Sequence, residues 1–344
     1  MAKSKKQSRK SSSKKGLKPW KKLGFFGKVW RFLWVAFLIL WGFSIFQILF
    51  CAVFNPPITP LMVQRFVQQV KDPDRPVQFK RDYVSIDEIS PNLVNAVVVA
   101  EDGLFMYHHG FDVPQLKQAY KENKQGRRIR GGSTISMQTA KNCFLPHKRT
   151  MLRKAVEAYY TAMMELVWSK KRIMECYLNI IEYGNGIYGC EAASQYYFHH
   201  SAQELTKHEA ALLAASLPAP LKRNSAHPSS YHRRYASTIQ GRMAKYGRIN
   251  LDAKREDLNQ KYVKQMDEGI FDFAFWLLTD GKELKHKDKP AKSSAHASSH
   301  SHKKAKAVEA EAEVEEEMEE EVEEFDMEMA IAPEPDMEEP EPEF

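Results

Sequence analysis

Only four of the 344 residues are cysteine, Cys51, Cys143, Cys176 and Cys190, and no two of them form a C-x-x-C pair. That spacing argues against metal ligation by cysteine. Each sits in an apolar run where a buried thiol is the plain reading, with a disulfide among the last three as the alternative in an oxidising compartment. Long alternations of polar and apolar residues are also missing, and at most residues 77–84 make one short strand, so a sheet-based fold is set aside. Each end of the chain lacks one sign of charge. Residues 1–31 hold 12 Lys/Arg and no acid, and residues 309–344 hold 19 Asp/Glu and no base. Between them, 39 basic and 25 acidic side chains leave +14 on residues 32–308. A body this basic points to an anionic partner, whether nucleic acid, phospholipid surface or phosphorylated substrate.

What is present near the N-terminus narrows that choice. From Phe32 to Phe54 no residue is charged, and this run is long enough to cross a hydrocarbon core of about 30 Å. A cleaved signal fits poorly, because its apolar stretch has only about 7–15 residues and no small-x-small site follows here. The basic run abutting the span places the N-terminus in the cytoplasm and everything after Asn55 outside. Its Lys/Ser composition is then retention against anionic lipid, and nucleic acid drops out as a partner. At the other end, residues 285–306 are Lys/His/Ser/Ala-rich and residues 307–344 Glu-rich, compositions too polar to bury a core. Val314, Met318, Val322, Phe325 and Met329 recur there at spacings of four and three, which leaves a solvated acidic tail and a partner-docking helix both open. His296, His300 and His302 read as incidental in that tract.

Between the ends the periodicity is helical. LVNAVVVAEDGLF puts Leu93, Val94, Val97 and Val98 on one face, and RKAVEAYYTAMMELVW does the same for Val156, Tyr159, Tyr160, Met163 and Val167. KKRIMECYLNII reads as a third helix closed by Gly-Asn-Gly at 184–186, and HEAALLAASL as a fourth closed by Pro218.

Three polar islands interrupt these helices. Residues 100–112, AEDGLFMYHHGFD, deliver Glu101 and Asp102 at a helix end, followed by His108, His109 and Asp112; the spacing fits no tight metal motif, and a carboxylate raised by apolar surroundings would serve as a general base. Residues 128–142, RIRGGSTISMQTAKN, imitate a phosphate loop but carry Gly132 where its lysine belongs. What remains is a Gly-Gly turn opening a helix whose first amides, with Ser133 and Thr134, suit an anion, and Lys141 follows on that helix. The third island is Arg149, Arg153, Lys154 and Glu157, where Arg153 and Glu157 alone would be an ordinary i, i+4 pair.

Taken together these islands resemble the peptidoglycan glycosyltransferases of family 51 in their monofunctional, membrane-anchored form. E-D-x-x-F-x-x-H-x-G-x-D is matched from Glu101 to Asp112, G-G-S-T-I-x-x-Q-x-x-K-N from Gly131 to Asn142, and R-K-x-x-E by Arg153, Lys154 and Glu157. Two further blocks follow, Tyr177 to Phe198 and the E-A-A-L-L-A stretch at 209–214. The chain departs from the family at Met137-Gln138, usually Gln-Gln, and at His199-His200, usually Gly-Lys. The resemblance implies a mainly α, lysozyme-like, two-lobed catalytic domain over residues 55–245, behind a basic cytoplasmic tail (1–31) and a transmembrane helix (32–54), with a helical extension (246–284) and the low-complexity tail (285–344) after it. It implies lipid II and the nascent glycan strand as partners, cell-wall synthesis proteins as neighbours, and the inner membrane as the location, with the domain on its periplasmic side.

By the same resemblance Glu101 is the base that deprotonates the acceptor 4-hydroxyl in an inverting transfer. Lys141, Arg149, Arg153 and Lys154 neutralise the departing pyrophosphate, and Glu157 holds a divalent cation, Mg or Mn, or orients that phosphate. Ser133, Thr134, Gln138, Asn142, Asp102 and His108 complete the substrate-binding set. The S-x-x-K and K-T-G signatures of a penicillin-binding transpeptidase are absent from the body, so glycan polymerisation without crosslinking is expected. A peptidoglycan-cleaving enzyme is the nearest rival, but breaking a neutral glycosidic bond gives no use for the cation cluster. An inactive assembly factor would have no need of Glu101 and Glu157.

Overall fold

A computed structural model of the chain describes residues 24–73, 75–124, 132–147, 150–266 and 273. The basic run before residue 24, Gly131, Arg149 and the tail with its histidines and its Val314 to Met329 stripe lie outside the described residues.

The apolar run becomes α1 (Phe25–Val53), the one helix among the described residues long and apolar enough to cross a membrane. It begins at Phe25 rather than Phe32, because Lys28 and Arg31 are good helix formers and do not interrupt the turn. Most of its apolar surface is exposed, while Ser44, Ile48 and Cys51 are buried against the body. The Ser44 hydroxyl lies 2.9 Å from that of Tyr159, Tyr160 donates to Gln47 Oε1 at 3.1 Å, and Trp168 Nε1 donates to the Ile48 carbonyl at 2.9 Å. Arg172 donates to the carbonyls of Cys51 and Phe54, where the helix leaves acceptors unpaired and its dipole favours a cation. The last turns of α1 are thus fastened to the helical body.

After α2 (Pro60–Lys71), capped by Thr59, the chain forms the two-residue strand β1 (Lys80–Arg81) inside the stretch where a short strand was expected. Ser90 and Pro91 then start α3 (Pro91–Glu101), buried nearly all round by Leu93, Val94, Ala96, Val97, Val98 and Val99. α4 (Val113–Lys124) precedes α5 (Ile135–Phe144), and α6 (Met151–Val167) and α7 (Lys170–Ile180) follow it. The chain continues through β2 (Glu182–Gly184), β3 (Ile187–Tyr188), α8 (Cys190–Phe198), α9 (Lys207–Ser216), α10 (Ser230–Tyr246) and α11 (Gln260–Gln265). One side of the core is α3 against α9 and α10; the other is α5 against α6 and α7.

One expectation is corrected. Gly-Asn-Gly at 184–186 does not close α7, which ends at Ile180; it turns the β2–β3 hairpin, whose second strand pairs in parallel with β1. Gly186 takes φ 66°, and a Cβ there would lie 2.0 Å from the Gln78 carbonyl oxygen, so only glycine lets the two segments meet. On α6 the apolar stripe packs as expected, with Tyr160 buried and Val156, Tyr159 and Met163 half-buried against the core, except at Val167, which is exposed; the helix also buries Glu157, Thr161 and Met164. Tyr160 stacks on Phe144 of α5 at 4.6 Å between ring centroids, so the apolar stripe joins α6 to α5 as well as to α1.

Candidate active site

Three helix ends converge. Glu101 is the last residue of α3, Gln138 and Lys141 lie one turn apart on α5, and Arg153, Lys154 and Glu157 occupy the opening turns of α6. Each of the last two helices is started by a threonine whose hydroxyl accepts a backbone N–H: Thr134 from Met137 at 3.2 Å and Thr150 from Arg153 at 3.2 Å. Thr134 also donates to the Gly110 carbonyl at 2.7 Å, which ties the start of α5 to the turn after Glu101.

Glu101 is half-buried, and its Oε2 accepts from Gln138 Nε2 at 2.7 Å. Tyr177, fully buried on α7, donates in turn to Gln138 Oε1 at 3.2 Å, fixing which end of the amide faces the carboxylate. Burial pushes the Glu101 carboxyl above the ordinary glutamate range, against the opposing Gln138 hydrogen bond and Lys141 charge. Burial likewise pushes Lys141 below the ordinary lysine range; Glu157 opposes this, and Arg153 and Lys154 add to it.

The Glu157 carboxylate is buried, with Arg153 on Oε2 and Lys154 on Oε1 at 2.7 Å, and Lys154 also donates to Ser133 Oγ at 3.1 Å. Both carboxylate oxygens are therefore already engaged by cations. Among the described residues no three His, Cys, Asp or Glu side chains converge as a metal site. The residues present do not fit a resident divalent ion, and Glu157 is built to aim two cations. Arg153 Nε and Asn142 Oδ1 are buried with no hydrogen-bond partner among the described residues.

Asp102 and His108 lie beneath this surface. His108 Nδ1 accepts the Gly110 N–H at 3.0 Å, so Nε2 carries the proton and donates to the Asp102 carboxylate at 3.0 Å. Asp102 Oδ2 also accepts the Ile135 N–H at 2.9 Å, the first amide of α5. Both side chains are spent on the protein's own backbone, as positioning residues between α3 and α5. Gly110, at φ 86°, has Thr161 Cγ2 2.8 Å from where a Cβ would stand. Replacing His108 by Ala should strand the Gly110 amide and part of the Asp102 carboxylate, lowering stability by about 3 kcal/mol. Thermal melting checks this, and an unchanged Tm would show that the network holds nothing together.

Four groups gave no signal in the sequence. His147 stands close enough to Lys141, Arg65 and Arg153 that burial, and then their charges, push it down to about 4. Arg223, between α9 and α10, and Tyr235 on α10 reach Glu101 electrostatically, and Arg223 lies over the rings of Tyr231 and Tyr235 at 5.2 and 5.7 Å. None belongs to a local pattern; helix packing alone brings them in. Of the departures, Met137 points away into a small apolar cluster with Phe111 and Val113. His199 ends α8 at φ 64°, where glycine would be unstrained, and His200 binds Glu209 at 3.0 Å.

Residues 67–244 match the profile of a family described as Transglycosylase. A biosynthetic peptidoglycan transglycosylase of Shewanella oneidensis is 41% identical over 228 residues, 65% of this chain and 96% of the relative. One of Bacteroides thetaiotaomicron is 51% identical over 174 residues, 51% of this chain and 70% of the relative. One of Caulobacter vibrioides is 43% identical over 226 residues, 66% and 93% of the two chains.

Proposed function

Since the chain belongs to the transglycosylase family, the peptidoglycan glycosyltransferases of cell-wall synthesis, we propose that it polymerises lipid II into β-1,4-linked glycan with release of polyprenyl pyrophosphate, without crosslinking. The observation that carries this reading is a raised carboxyl, Glu101, facing a half-buried lysine, Lys141, with Arg153 and Lys154 beyond it. A base and a cation field so close together suit a reaction that removes a proton at one point and develops negative charge at the next.

Glu101, held by Gln138, takes the proton of the acceptor 4-hydroxyl. The freed oxygen attacks the anomeric carbon of the donor from the face opposite the pyrophosphate, inverting it. Lys141, Arg153 and Lys154 lower the cost of the charge left on the departing oxygens. Glu157 holds two of them in place before substrate arrives. Any dependence on Mg or Mn then belongs to the substrate's pyrophosphate, which supplies oxygen ligands that Glu157 by itself does not. The α1 helix, fastened to the body through Arg172 and Trp168, would keep this site at the level of a membrane-bound substrate, with the domain on the outer face of the inner membrane.

The full chain in detergent, given labelled lipid II, should yield long lysozyme-sensitive glycan and take no label from fluorescent penicillin. Shortening of added glycan without any synthesis would mean a hydrolase.

The pH dependence follows from the two shifted groups. Glu101 works only deprotonated, and its raised pKa moves the acid limb of kcat/KM above the ordinary glutamate range. Lys141 works only protonated, and its lowered pKa brings the alkaline limb below the ordinary lysine range. A narrowed bell is expected, with the alkaline limb moving up in Lys141→Arg. An acid limb at an ordinary glutamate pKa would remove Glu101 from the role of base.

A further inference from the structure

Cys143 on α5 and Cys176 on α7 bring their Sγ atoms to 3.4 Å from each other, and both are buried. They are not neighbours in sequence; the packing of α5 on α7 sets them face to face. A disulfide needs about 2.05 Å between sulfurs and Cα atoms within about 7 Å, so two thiols already in van der Waals contact across a helix pair close it with a small shift. Neither takes part in the chemistry above, yet both stand directly behind it. Lys141 and Gln138 are within two turns of Cys143, and Tyr177, which holds Gln138, follows Cys176.

We propose that Cys143 and Cys176 are a modification site, closed by a disulfide-bonded thiol oxidant into a bond that ties α5 to α7 beneath the cation cluster. One cysteine thiolate attacks the oxidant's disulfide, forming a mixed disulfide and expelling one oxidant thiolate. The second cysteine thiolate attacks its partner's sulfur; the Cys143–Cys176 bond forms, the mixed bond breaks, and the oxidant leaves as a dithiol with the two electrons and the two protons that the cysteines gave up. Burial pushes the Cys143 thiol well above its ordinary pKa, so thiolate is scarce in the finished fold and the exchange belongs to the stage before α5 and α7 close on each other. Cys51 is the competing thiol, within electrostatic reach of Cys143. In the cell the proposal rests on the reading that the domain faces the oxidising side of the membrane.

The test uses the full chain in native membranes, its free thiols trapped by an alkylating reagent under denaturing conditions before proteolysis and mass spectrometry. A peptide pair joined through Cys143 and Cys176 is the expected product. A second arm refolds the reduced, detergent-purified chain in glutathione disulfide, and a third locates the domain with a membrane-impermeant thiol reagent on Ser230→Cys in the same membranes. Free thiols at both positions in an outward-facing domain would overturn the proposal, as would a Cys51–Cys176 link. If the domain faces inward, the orientation reading fails on its own, and the refolding arm decides the pair: a linked pair supports it and free thiols overturn it. Reductant should lower the Tm of the wild-type chain by about 5–10 °C, given a closed loop of about 30 residues. It should leave Cys143→Ser unmoved and still shift Cys190→Ser; an equal shift in Cys143→Ser would also overturn the proposal.

Discussion

Glu101→Gln should lower glycan polymerisation by about 10²–10⁴-fold, the usual share of a positioned general base, in a protein that still folds and still binds the donor. The amide is isosteric, and among the described residues the carboxylate accepts one hydrogen bond, from Gln138, which can be met again by an amide oxygen. Stability should therefore stay near wild type or rise slightly, because a charge disfavoured by burial is removed. The prediction is checked by single-turnover polymerisation beside a binding measurement with labelled lipid II. Near-normal turnover would move the base elsewhere, and Gln138→Ala, which frees the same carboxylate to rotate, should lie between the two.

The next largest effect is expected at Lys141. Lys141→Ala should reduce turnover by about 10²–10³-fold, the scale seen when one preorganised charge-stabilising donor is removed from an enclosed site. Arg153 and Lys154 cannot substitute, since both are already partly neutralised by Glu157, whereas Lys141 sits between Glu101 and Glu157 without a direct ion pair among the described residues. Lys141→Arg should recover part of the loss, and Lys71→Ala on the exposed end of α2 should recover none because it should lose none. If Lys141→Ala and Lys71→Ala fell equally, the cation field would act only by drawing an anionic substrate to a basic surface, an effect that salt screens.

The motif blocks made the charged residues of the site legible because each lies in a short sequence window with its own helix start: Thr134 before Gln138 and Lys141, Thr150 before Arg153 and Glu157. Local capping chemistry is written in such windows. The same windows could not separate residues that face substrate from residues that face the protein. Asp102 and His108 stand among the site residues in the sequence and are buried in the structure, because Asp102, the C-cap of α3, accepts from His108 and from the first amide of α5.

The sequence by itself determined the long apolar helix near the N-terminus, the mainly helical body, the start of α5 and which charged residues gather at the candidate site. These depend on contacts within a few residues or on composition over one run, which chain order preserves. Only the tertiary structure decided that Tyr177 fixes Gln138, that Arg65 joins the positive charges around His147, that Arg223 reaches Glu101, and that Arg172 and Trp168 hold α1 against the body. It decided as well that, of four scattered cysteines, Cys143 and Cys176 touch. Each of these pairs is far apart in the chain and is joined by the packing of one helix on another, and the burial that shifts Glu101 and Lys141 comes into being only when that packing is complete.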